Sequence, residues 1–212
     1  MTFRFRPLYL AAFAVLALSA CSDPEKTSRF LIDPPATGVQ VPNRLGTVDL
    51  RDVSLPEYAS GQEVSWQTAD GAVRSNPDNL WADNPQRAFT ETLAREISNM
   101  SGATVIGEPW PLAEPPQRRL EVRVEKALAQ ADGAFRLSGR YFVSDEGFGT
   151  GGANHARSFD ITVPLASDQP AAVAQAMSQA ISQLARQIAT LSGPGSTSAT
   201  RNRAAADPFA IF

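Results

Sequence analysis

The chain has 212 residues, is 43% hydrophobic, sets 19 Lys and Arg against 22 Asp and Glu for a formal charge of −3, and contains one cysteine and one histidine. This length suits a single domain with its own core, and the acidic balance excludes the clustered cationic surface that nucleic-acid phosphates demand. A lone thiol excludes an internal disulfide and any multi-cysteine metal site.

The N-terminus carries Arg4 and Arg6, then an apolar run from Pro7 to Leu18. That run is shorter than the roughly 20 apolar residues a spanning helix needs, so it reads as the h-region of a signal peptide. It closes on Leu18-Ser19-Ala20-Cys21, the pattern of a lipobox. On this reading residues 1–20 are a lipoprotein signal peptide and Cys21 is the lipidation site, its thiol receiving a diacylglycerol and the chain cut just before it. The alternatives are an ordinary secretory signal or an uncleaved anchor. Acyl chains contribute about 0.8 kcal/mol per buried methylene, enough together to hold the chain at a membrane. Lys26 and Lys126 are the only lysines, so no polybasic patch shares the task. Ser22 favours the outer membrane, facing the periplasm, and Asp23 leaves the inner membrane open.

Residues 21–43 read as a lipidated N-terminus and tether, because Pro24, Pro34, Pro35 and Pro42 oppose regular structure; a short extended piece, Arg29 to Asp33, interrupts it. A single domain is expected over 44–192. Leu45 to Val53 alternates as a half-buried strand, and Leu55-Pro56-Glu57-Tyr58 ends it in a helical turn or tight loop. Glu63–Thr68 and Ala72–Ser75 flank Asp70-Gly71, a hairpin signal. Asn84-Pro85 predicts a helix N-terminus, and Phe89, Leu93, Ile97 and Met100 form the apolar stripe of an amphipathic helix that stops near Gly102. A short strand, Ala103 to Gly107, and a proline-rich loop follow. Arg119–Gln130, Ala134–Ser144 and His155–Pro164 read as three long strands in an antiparallel meander. Asp168 is expected to cap a last helix, striped by Met177, Ile181, Leu184, Ile188 and Leu191. Residues 193–212 read as a disordered tail. Two helices on a mixed sheet of five to seven strands make an α/β or α+β domain.

Groups able to do chemistry are few. His155 has no Gly-x-Ser-x-Gly elbow to serve, and no HExxH spacing is present for zinc. Gly147 to Gly152 lacks the Lys-Ser/Thr of a phosphate loop and sits between strands. Asp49 and Asp52, three apart on a strand, face opposite sides and do not form an acid/base pair. The reading is that the chain is not an enzyme and uses no cofactor or metal.

The remaining distinctive residues are apolar ones near loops: Leu55, Pro56, Tyr58, Trp66, Trp81 and Trp110. Their order, with Phe30-Leu31-Ile32-Asp33-Pro34 near the N-terminus, then Val53-Ser54-Leu55-Pro56-Glu57-Tyr58, then Trp81-Ala82-Asp83 opening a helix, resembles the ABC-type transport auxiliary lipoproteins. The resemblance implies a three-layer α/β domain, a mixed sheet with helices similar to the anticodon-binding and TolB N-terminal folds. It also implies an accessory, docking subunit of an intermembrane lipid transport system contributing to envelope integrity. Its partners would be an MCE-domain protein and an inner-membrane permease and ATPase, and a homo-oligomer is compatible with a tubular conduit. Leu55, Pro56, Tyr58 and Trp81 are the partner-binding candidates. Competing readings are a lipid-binding carrier and a structural or assembly lipoprotein unrelated to transport.

Overall fold

One long strand organises the molecule. The computed structural model describes residues 26–36, 38–146 and 154–191. In chain order the elements are β1 (Ser28–Phe30), β2 (Thr47–Leu50), α1 (Glu57–Ser60), β3 (Glu63–Gln67), β4 (Val73–Trp81), α2 (Pro85–Ser101), β5 (Thr104–Gly107), β6 (Arg118–Ala129), β7 (Ala134–Asp145), β8 (His155–Pro164) and α3 (Pro170–Ala189). The sheet has eight strands. Along one edge of β6 lies β7, antiparallel, with β8 beyond it. Along the other edge two separate segments run parallel to it: β2 pairs Arg118 to Leu120, and β3 reaches Ala129 through Trp66. Between them the chain follows β6 without forming a full strand, through Arg51 N–H to Leu120 O, Ser54 N–H to Val122 O and Val124 N–H to Ser54 O. β2 carries β5 on its far side, and β3 carries β4 and then β1.

Alternation along β6 assigns the faces. Leu120, Val122 and Val124 are buried, as are Leu137, Tyr141, Val143, Phe159, Ile161 and Val163 at matching positions of β7 and β8. Their opposites bear charge: Arg123 pairs with Glu121, and Arg136 pairs with Asp160 through both carboxylate oxygens. A β-bulge between Val124 and Lys126 restores apolar residues to the core face at Ala127 and Ala129. Opposite the bulge stands Gly139, where an added Cβ would lie 2.1 Å from the Arg123 carbonyl oxygen and 2.9 Å from the Val124 Cα.

Helices α2 and α3 pack against each other and both cover the apolar face. The side chains of Phe89, Leu93, Ile97, Met100, Met177, Ile181, Leu184 and Ile188 are buried in the core. The spacing of these stripes is what a 3.6-residue period requires of a helix lying on a sheet. Asn84 caps α2, its side chain accepting the Arg87 N–H, and Gly102 ends it at φ 68 with its N–H on Ser98 O. The helix pair is also joined by polar groups: the Ser182 hydroxyl donates to Glu96 Oε2 at 3.1 Å, both residues buried.

Five expectations change. Among the described residues the domain has two layers, sheet and helix pair, not three, and the second sheet face carries ion pairs such as Arg123–Glu121 and Arg136–Asp160. The sheet has eight strands, not five to seven. The last helix begins at Pro170 with Gln169 at its N-cap and no side-chain cap, so Asp168 does not cap it. And the expected tether is largely part of the domain. β1 pairs with Asn79, Leu80 and Trp81, Ile32 enters the core, Asp33 N–H donates to Ser178 Oγ, and Val41 N–H to Met100 O. Beyond β1 the prolines oppose further strand or helix but not docking, since side chains and isolated amides of the strap find partners on α2 and α3. The hairpin's second strand also runs farther than expected, to Trp81, past an irregularity at Asn76-Pro77-Asp78. There Pro77 cannot donate, and the Asp78 N–H turns onto Asn76 Oδ1.

Candidate functional site

β1 hydrogen-bonds to the end of β4, and α2 begins four residues after β4. This fixes Phe30 to Ile32 beside Trp81 and the first turns of α2. Alternation on β1 and its extension then does the sorting: Phe30 packs on the core, Ile32 is in it, and Leu31 faces out at 68% exposure. Leu31, Phe30, Trp81, Ala88, Thr92 and Arg95 line a depression of about 180 Å³. Charged residues rim it, Asp83 and Glu91 lining it together with Arg95. Arg95 meets Asp33 at 3.0 Å, and Arg87 lies against Asp83, whose carboxyl it holds below the usual carboxylate range through that hydrogen bond.

Trp81 is 6% exposed and contributes to the core as well as to this depression. Its neighbour Leu80, on the opposite face of β4, opens onto a second groove shared with Tyr58, Gly61, Gln62, Ser65 and Val73. Pro56 is the N-cap of α1, and Leu55 and Tyr58 are half-buried against the core. The Tyr58 hydroxyl accepts the Ala127 N–H at 3.3 Å, and its carbonyl accepts the Ser65 hydroxyl. The candidates therefore divide: Leu55, Pro56 and Tyr58 sit on the loop filling the gap between β2 and β3, and Trp81 belongs to the β1 depression. Sequence reasoning left Leu31 aside. The signal was present, since an apolar residue between a core Phe and a core Ile on an extended segment must point outward. Cys21 lies outside the described residues, as do the Gly147 to Gly152 loop and the tail.

Trp66 is half-buried against the core, and the Trp110 indole N–H donates to Glu114 O at 2.7 Å. Asp49 is 7% exposed on β2, near Arg119 at 3.8 Å, whereas Asp52 lies beyond the strand with its N–H on Glu108 Oε1. His155 starts β8 buried at 8% exposure with Nδ1 unpartnered. Burial, then the charges of Arg157 and Arg118, push its pKa below the ordinary 6.5 against the opposing pull of Asp145. No group of three or more metal-ligating side chains occurs among the described residues.

Comparison with known proteins places this geometry. Residues 30–189, from the Phe30 beside Leu31 to the end of α3, match the ABC-type transport auxiliary lipoprotein component family. The chain belongs to that family. Among its relatives is the intermembrane transport lipoprotein PqiC of Escherichia coli strain K12, 29% identical over 145 residues, covering 66% of this chain and 75% of the relative. The Shigella flexneri PqiC aligns with the same figures. Two crystal structures share the fold. One, of an uncharacterized protein, has a TM-score of 0.59 at 23% identity, covering 71% of this chain and 94% of its own. The other, from Xanthomonas campestris, has a TM-score of 0.55 at 14% identity, covering 76% and 90%. Membership makes the chain an auxiliary lipoprotein component of a transport system, and the match begins within the strap that composition alone had assigned to a tether.

Proposed function

We propose that this auxiliary lipoprotein is a non-enzymatic docking subunit of an MCE/ABC-type intermembrane lipid transport system. It is anchored through Cys21 at the periplasmic face of the outer membrane and contributes to envelope integrity. The observation that carries the reading is the extent of the family match, which spans the folded domain from Phe30 to Ala189 and starts nine residues after Cys21. The relatives' name, an intermembrane transport lipoprotein, supports the lipid-transport setting. No described helix is long and apolar enough to cross a membrane. The partner is an MCE-domain protein with its inner-membrane permease and ATPase, met by a surface that includes the Leu55–Tyr58 loop, whose Tyr58 lines the groove running toward Val73. Interface energy concentrates in a few such aromatic and apolar residues.

The test is to isolate the lipidated protein from its native envelope in mild detergent and identify what co-purifies by mass spectrometry. An MCE-domain protein, lost when Leu55 and Pro56 are replaced by serine in a chain that melts normally, is the expected result. A clean protein carrying stoichiometric phospholipid would make it a carrier instead.

A further inference from the structure

Cys21 and the first residue of β1 are separated only by residues 22–27. Seven Cα-to-Cα steps of at most ~3.6 Å limit Ser28 to roughly 25 Å from the anchored cysteine. Because β1 is hydrogen-bonded along Asn79 to Trp81, that limit applies to the whole domain and not to a loose arm. Leu31 follows directly, 68% exposed over the depression of Phe30, Trp81 and Ala88. Two exposed cations, Lys26 and Arg29, are the charged residues nearest Leu31 on this stretch, with Asp23 and Glu25 closer to the cysteine. From this combination, we propose that the β1 face is the membrane-contacting surface of the domain. Leu31 is seated at the lipid interface above the Phe30–Trp81–Ala88 depression, and Lys26 and Arg29 lie at headgroup level. The inference rests on acylation of Cys21. It adds to the docking role an orientation: the far ends of β4 and β3, with Val73 exposed at 45%, point toward the aqueous side, where a periplasm-spanning partner would arrive. An apolar side chain next to cationic ones is the composition that interfacial segments use. Here the covalent anchor supplies the residence and the face supplies the orientation.

Cys21 is the only cysteine, so once it is acylated an introduced thiol is the only one that can be labelled. The full lipidated protein carrying Leu31→Cys, and separately Val73→Cys, is labelled with a nitroxide and reconstituted into phosphatidylethanolamine/phosphatidylglycerol vesicles. Its accessibility to oxygen and to an aqueous nickel chelate is then read by power-saturation spectroscopy. The expected result is a Leu31 label relaxed preferentially by oxygen and shielded severalfold from nickel, with the Val73 label open to nickel. Equal aqueous exposure of both labels would overturn the proposal. Shielding that appears only when the co-purified transport partner is added would do the same, and would assign this face to protein. Mass spectrometry of the N-terminal peptide separates the two failures: an unacylated Cys21 refutes the anchoring itself, whereas an acylated chain with an exposed Leu31 label refutes only the orientation.

Discussion

The Tyr58 hydroxyl accepts the backbone N–H of Ala127 at 3.3 Å, across a separation of 69 residues. Ala127 lies just past the bulge of β6, where β2 has ended and β3 has not yet arrived, so no strand amide or carbonyl is positioned to pair with it. A side chain completes the sheet ladder at the place where two parallel segments leave a gap. The Tyr58 of the Leu-Pro-x-Tyr sequence is thus first a framework residue.

Tyr58→Phe keeps the ring in place and leaves the Ala127 N–H without a partner in a half-buried site. A loss of about 1–2 kcal/mol is expected, read as a lowered urea midpoint at unchanged m-value. Recovery of the transport partner should be retained, because the hydroxyl points into the sheet. Loss of the partner with stability intact would reverse that assignment.

Trp81→Ala removes a large side chain that is 6% exposed and should cost about 3–5 kcal/mol. Leu31→Ser, at the rim of the same depression, should change stability by no more than about 0.5 kcal/mol. Thermal melts of the two variants side by side check the division between packing and surface on which both the docking and the orientation proposals depend.

Gly139→Ala places a methyl group within 2.1 Å of the Arg123 carbonyl oxygen and 3.0 Å from the Phe159 ring. Both obstacles are held by the ladder or the core, so the bulge must shift. The expected loss is about 1–3 kcal/mol or more, large for a substitution that adds one carbon. A wild-type melting temperature would mean that the bulge relaxes freely.

His155 supplies a pH dependence with a definite sign. Its folded pKa lies below 6.5 because burial, Arg157 and Arg118 oppose its charge, so the unfolded chain takes up the proton first as pH falls. Its contribution to stability is therefore complete above about pH 6.5 and declines as the pH drops through the folded value. Urea denaturation at pH 7.5 and pH 5.5 should show a larger loss for the wild type than for His155→Gln. Equal losses would place the acid sensitivity elsewhere.

The parts of the fold legible in the sequence are those set by neighbours in the chain. The cap of α2 at Asn84 and its stop at Gly102, the Phe89-Leu93-Ile97-Met100 stripe and the β6–β7–β8 meander all depend on period and turn chemistry within a few residues. The strap was not legible, because its prolines give the composition of a linker while its docking depends on Ser178, Met100 and Trp81 far along the chain. The same holds for β6, whose parallel pairing with β2 and β3 leaves no local trace. Of the candidate site, the aromatics and their order were visible. That Tyr58 turns inward while Leu31 turns outward depends on a gap in the ladder and on one short edge strand, which only the assembled sheet defines.

The strap also bears on how such a chain matures. Under the proposed anchoring, the strap is the part of the domain nearest the lipid, yet Asp33 waits for Ser178, 145 positions later. Closure over so long a span is slow relative to local helix formation. Of the strap's contacts, those to Trp81 and Met100 can form while the chain is still being made, whereas the Asp33 contact can form only once α3 is present.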